Sequence, residues 1–217
     1  MNPNHHPHSE TILAYSAGSV EESFSLLIAA HVERCTNCSS LLAKAETLAG
    51  GILEGLPPVA MSEGSINQVW NLAENTSGAG GSSRGEHPAD DLPAVLAYLL
   101  PDGLSAIRWR FMAPGIQHFR LSGVHSGAGS ARLLRIAPGV EIPEHTHAGS
   151  ELTLILSGSY TDQTGHFGPG DLADLDDSVR HRPVVDSGQP CICLIATDQP
   201  LLFTGTLNRM LQPLLGI

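Results

Sequence analysis

Two groups of residues in this chain have the donor types and the spacing to hold a metal ion. Near the amino terminus, His31-x₃-Cys35-x₂-Cys38 brings two thiols and an imidazole together, and His5, His6 and His8 lie upstream. Far downstream, His145-x-His147-x₃-Glu151 supplies imidazoles and a carboxylate, with His181 further along. Thiolates and imidazoles in a tetrahedral set suit a closed, structural zinc ion. A histidine and carboxylate set is less selective and can hold zinc, iron, manganese or nickel. A chain carrying both kinds reads as a regulator of two modules rather than a single-domain enzyme.

The first group needs helices to place it. His31 and Cys35 are four apart and share one helical face. Cys38 falls at the start of the next helix, where the positive helix end and free N–H groups favour a thiolate. These residues leave one vacancy in tetrahedral zinc, and an upstream histidine can fill it. His6 is the expected fourth ligand, with His5 the alternative. Ser9 is expected to cap a short helix through Ile12, Leu13 and Tyr15, ended by Gly18. Ser19-Val20-Glu21-Glu22 reads as a capping box for the helix bearing Phe24, Leu27, Ile28 and Ala30. Thr36 or Asn37 should cap a third helix that Gly50-Gly51 stops. A fourth, from Ser62 or Ser65 to Glu74, carries Ile66, Val69, Trp70 and Ala73 and could serve either packing or a partner.

The second group calls for strands, because residues 145 and 147 then point the same way. Apolar stretches at 132–136, 152–156, 172–175 and 191–196 alternate with turn signals such as Pro138-Gly139, Ser157-Gly158 and Pro169-Gly170. That punctuation predicts an antiparallel sandwich or barrel. Between the two patterns, residues 75–91 hold a Ser-Gly-Ala-Gly-Gly-Ser-Ser run and read as a flexible linker. The predicted organisation is α+β in two domains: a small zinc-bound helical bundle over 1–74, the linker over 75–91, and an antiparallel β barrel over 92–217. Cys191-x-Cys193 sits on one face of an expected core strand, as small buried hydrophobes or as oxidation-sensitive thiols. His118, His125 and His166 lack ligand spacing and are expected in loops or at the surface, His166 nearest the pocket.

Charge restricts the partners. The 217 residues include 22 acidic and 11 basic ones, a formal net charge of −11. Phosphate binding needs clustered Lys and Arg, so direct contact with nucleic acid or an anionic membrane is disfavoured. A basic protein partner fits better. No signal peptide or membrane-spanning run is evident, which predicts a cytoplasmic protein. In that reducing compartment Cys35 and Cys38 are better read as metal thiolates than as a disulfide.

The pattern His6…His31-x₃-Cys35-x₂-Cys38, with Ala-Tyr-Ser-Ala-Gly-Ser at 14–19 and Ala29-Ala30 before His31, resembles the zinc-binding domain of bacterial anti-sigma factors. Gly139-x₅-His145-x-His147-x₃-Glu151-x₆-Gly158 is similar to the first cupin motif. Phe167-Gly168-Pro169-Gly170-Asp171 looks like the turn of the second, with His181 as the fourth ligand, although the asparagine usual after that histidine is missing. Together they resemble ChrR-type anti-sigma factors over the whole chain. The resemblance implies that the helical module holds an extracytoplasmic-function sigma factor inactive in a 1:1 complex, wedged between its two conserved domains. It also implies zinc in both modules, and release when the cupin senses singlet oxygen or related oxidative stress. No catalytic residue is expected. The alternatives are a metal-dependent cupin dioxygenase with a helical assembly module, and a cupin scaffold that binds a small ligand without a partner.

Overall fold

Apolar residues at helical spacing build the amino-terminal part. In a computed structural model, the described residues are 2–76, 92–122, 124, 130–147, 149–199 and 201–203, with the backbone alone described at 76, 130, 147 and 201–203. Helices α1 (Ser9–Ser16), α2 (Glu22–Val32), α3 (Thr36–Glu54) and α4 (Ser65–Thr76) come first, then α5 (Ala94–Leu99) and a short 3₁₀ turn. Gly18 closes α1 with φ +66°, as expected of a residue that leaves a helix through the left-handed region.

The expected helix starts fare less well. Ser9 is the first residue of α1, and its hydroxyl turns to Glu10 rather than capping. The Ser19 hydroxyl donates to the Ala14 carbonyl, so no capping box forms, and Glu21 precedes α2 without a side-chain cap. Neither Thr36 nor Asn37 caps α3; Cys35 does, its sulfur accepting the Cys38 N–H at 3.4 Å. Gly50-Gly51 does not stop α3, which continues to Glu54. Glycine in a helix interior costs only about 1 kcal/mol, which the rest of a 19-residue helix outweighs.

The β part has eleven strands among the described residues: β1 (Arg110–Ala113), β2 (Ile116–Arg120), β3 (Ser130–Ile136), β4 (His145–His147), β5 (Glu151–Ser157), β6 (Tyr160–Asp162), β7 (Gly165–Phe167), β8 (Leu172–Leu175), β9 (Val184–Val185), β10 (Cys191–Thr197) and β11 (Leu201–Phe203). The largest sheet runs β1-β2-β3-β10-β5-β8; β7-β6-β9 and β11-β4 form smaller ones. The pairings are antiparallel. His118, expected in a loop or at the surface, lies instead in β2, half-buried, opposite Leu134. His166 lies in β7 with an exposed ring near Asp186, and His125 is outside the described residues.

The central strands are buried on both faces. One face of β3, β5, β8 and β10 presents Leu133, Leu152, Leu154, Leu172 and Leu194 to a core that also contains Ile12, Leu27 and Ile28 of the helices. The other face presents Ile136, Ile155, Cys191 and Cys193 to an inner core with Tyr160, Phe167 and Val185. This double burial produces continuous apolar runs instead of strict alternation. Helix α2 therefore lies on the outer face of the main sheet, and helices and sheet share one core. Leu27 is 0% exposed there, and each such side chain contributes about 1.5–3 kcal/mol by leaving water.

In contrast, the end of α3 and all of α4 leave apolar side chains in solvent, among them Ile52, Leu53, Val69 and Trp70. Among the described residues, Ile66, Val69 and Trp70 of α4 join neither core. Among the described residues no helix is long and apolar enough to cross a membrane.

Candidate metal centres

His31 lies at the end of α2, and Cys35 follows at the junction with α3, its N–H donating to the His31 carbonyl at 2.9 Å. This helical turn keeps both on one face even though α2 has ended. Cys38 is in the first turn of α3. His6 arrives from the extended segment before α1. Its Nδ1 stands 3.2 Å from Cys35 Sγ, 3.6 Å from Cys38 Sγ and 3.5 Å from His31 Nε2. A tetrahedral zinc ion with Zn–S of about 2.3 Å and Zn–N of about 2.0–2.1 Å separates its ligand atoms by roughly 3.3–3.8 Å. The four side chains converge at nearly that spacing, and His31, Cys35 and Cys38 are buried.

The surroundings also fit a metal. His31 Nδ1 donates to the Gly170 carbonyl at 2.9 Å, which leaves Nε2 without a proton and aimed at the other ligands. Burial lowers the His31 pKa, an effect the Gly170 carbonyl opposes, so the neutral, metal-binding imidazole is favoured. In the metal-free chain burial and the Cys35 sulfur push the Cys38 thiol up to about 12. A bound metal reverses that preference, because a coordinating thiol is deprotonated. His5, the alternative ligand, has another task. Its ring stacks on Phe167 at 4.0 Å, and its Nε2 meets the His166 carbonyl at 3.0 Å.

In the β part, His145 opens β4, Glu151 opens β5 and His181 forms an isolated bridge with His145. All three are buried and their ligand atoms converge. His145 Nδ1 donates to the Pro143 carbonyl and His181 Nδ1 to the Asp162 carboxylate, each at 2.9 Å. Both acceptors lack a proton to give, so each neutral ring keeps its lone pair on Nε2. The two Nε2 atoms face each other at 2.9 Å. Two lone pairs so close repel unless a cation or a proton lies between them, and Glu151 adds a carboxylate, its Oε1 accepting the Thr153 hydroxyl at 3.1 Å. His147 lies two residues after His145 in β4; its side chain is outside the described set.

Sequence reasoning missed the residues that hold these ligands. Asp162 carries no motif. Burial raises its pKa, but hydrogen bonds from His181 and Thr164 outweigh that and lower it overall. Asp171 was visible only as part of a turn, yet it is buried and binds the backbone of the His6 segment. Cys191 and Cys193 lie in the inner core, where the Cys191 contact and burial push the Cys193 thiol well above its ordinary value. That protonated state opposes thiolate reactivity.

Residues 103–200 match the family model described as the ChrR cupin-like domain. The chain is 36% identical, over 100% of both sequences, to the anti-sigma-E factor ChrR of Cereibacter sphaeroides. It is also similar to a chain of the crystal structure of Rhodobacter sphaeroides SigE in complex with the anti-sigma ChrR, with 35% identity and a TM-score of 0.74. That match covers 89% of this chain and 98% of the other. Full-length identity of that order, with a thiolate cluster on helices and a histidine–carboxylate cluster in an antiparallel β domain, means that this chain belongs to the ChrR family of anti-sigma factors.

Proposed function

We propose that this chain sequesters an extracytoplasmic-function sigma factor through its amino-terminal helices, in a 1:1 complex, and releases it when the cupin-like domain responds to singlet oxygen or related oxidative stress. The observation that carries the reading is the similarity, over nearly its whole length, to an anti-sigma protein whose structure includes a sigma factor. The exposed apolar side chains of α3 and α4 support it, since a face of this kind on a chain of net charge −11 suits a basic protein with an apolar groove. A helix laid into a groove uses anchors at the spacing of Ile66, Val69 and Trp70.

In this reading His6, His31, Cys35 and Cys38 hold a structural zinc ion that shapes the sigma-binding helices. His145, His147, Glu151 and His181 hold a second ion, also zinc, at which the stress signal is sensed. The two functional units are 1–74 and 92–217, joined by 75–91, and the protein works in the cytoplasm, where thiolates stay reduced. It has no catalytic role. Affinity purification of the tagged chain with its cognate sigma factor tests this, with metal content measured on the complex. A stable complex with two zinc equivalents is expected; a monodisperse, zinc-loaded chain without affinity for the sigma factor overturns the reading. Iron in the cupin-like domain with turnover of an organic substrate would mark a dioxygenase instead.

A further inference from the structure

The segment before α1 is hydrogen-bonded to the β domain at several points along its length. Asp171 is buried, and its Oδ1 accepts the N–H groups of Asn4 and His5 at 2.6 and 3.0 Å. Its Oδ2 accepts the Gly168 N–H at 2.8 Å, which locks the turn itself. The Leu172 N–H donates to the His5 carbonyl at 3.2 Å. A few residues on, Asp174 Oδ2 accepts the His8 N–H at 2.9 Å and the Thr11 hydroxyl at 2.6 Å. Pro3 is buried against Gly170, where a Cβ would stand 3.2 Å from its Cγ. His6 lies between these anchored residues, and the same turn supplies the Gly170 carbonyl that orients His31.

We propose that the turn Phe167–Asp171 is a working part of the amino-terminal metal centre: Gly170 orients His31, and Asp171 anchors the strand that presents His6. Gly170 and Asp171 are then positioning residues for a metal held by the helices, and the β domain decides how firmly that metal is held. The inference deepens the function proposed above by giving the cupin-like domain a physical hold on the zinc of the sigma-binding module. The contacts run without a break between the two centres. His181 bonds Asp162 of β6, Tyr160 of the same strand stacks on Phe167 at 4.8 Å, and Phe167 stacks on His5, next to His6.

The test uses the full, zinc-loaded chain without a sigma factor. Alkylation of Cys35 and Cys38, mapped by mass spectrometry, reports on this centre alone, and zinc transfer to 4-(2-pyridylazo)resorcinol reports release. Asp171→Ala should speed both by roughly 10–100-fold, the usual cost of losing a residue that orients a ligand. Gly170→Ala, which crowds Pro3 without removing a charge, should act in the same direction. Asp177→Ala, a change to an exposed carboxylate of the same domain, should leave both rates as they are. Wild-type protection of Cys35 and Cys38 in a folded Asp171→Ala chain overturns the proposal. If Asp171→Ala does not fold, hydrogen exchange in the unaltered chain decides. Slow exchange at Asn4, His5 and Leu172 together supports the anchor, and rapid exchange at Asn4 and His5 overturns it. None of these readouts involves the sigma factor, so a failure of sigma binding and a failure of the anchor are seen separately.

Discussion

Individual side chains decide whether each centre can hold its ion. Cys38 is one of the four candidate ligands of the amino-terminal set, and its side chain is buried. Cys38→Ser should lower the zinc content of the purified chain by about one equivalent and lower its thermal midpoint, as expected where metal binding is part of the folding energy. Asp162 holds His181 in the second centre at 2.9 Å. Asp162→Asn should weaken metal binding there by roughly 10–100-fold in a chelator competition, with Cys35 and Cys38 still protected. The Asp162 pKa is lowered on folding, so its stabilising contribution is complete above its ordinary value of 3.8 and is lost as the pH falls through the folded value. The thermal midpoint of Asp162→Asn should therefore fall less steeply than that of the parent below about pH 4, by calorimetry across that range.

At the scale of elements, the helices differ in how far their apolar side chains are buried. Leu27 and Ile28 bury α2, whereas Trp70 of α4 is 62% exposed. Trp70→Ala should leave the thermal midpoint nearly unchanged, because exposed positions away from special features shift stability by about 0.5 kcal/mol or less. The same change should weaken sigma-factor binding by about 2 kcal/mol or more, measured by titration calorimetry, as buried aromatic anchors do. Loss of folding stability with unaltered binding would return α4 to a packing role. Among the strands, the two-sided burial of β5 and β10 made them legible as apolar runs, while short β6 and β9 left little pattern in the sequence. The helix starts were misread for a physical reason. Ser19 found a carbonyl acceptor in the preceding helix end, and the Cys35 sulfur took the capping position that Thr36 or Asn37 was expected to fill.

Across the whole molecule, the shared core ties the helices that carry the His–Cys cluster to the sheet. Leu27→Ala removes a side chain with 0% exposure from that core, at a cost of about 2–5 kcal/mol. The measurable sign beyond a lower denaturation midpoint is faster alkylation of Cys35 and Cys38, since undocking α2 separates His31 from Gly170. A destabilised chain whose thiols stay protected would mean that the helices keep their metal without the sheet. The acidic surface belongs to this scale as well. Association with a basic partner should slow as salt rises, in stopped-flow measurements between low and physiological ionic strength.

The sequence by itself determined what is local. His31, Cys35 and Cys38 lie around the end of α2 and the start of α3, so their spacing alone predicts their convergence. The strand runs and the exposed candidate helix α4 were legible because periodicity is a property of neighbouring residues. Only the tertiary structure decided which of His5 and His6 joins the thiols, because that choice depends on Phe167 and Asp171, the latter 166 positions from His5. It likewise placed Asp162 against His181 and Gly170 against His31, 139 positions apart. Contacts across such separations follow from how helices and sheet pack, and no spacing in the chain encodes them directly.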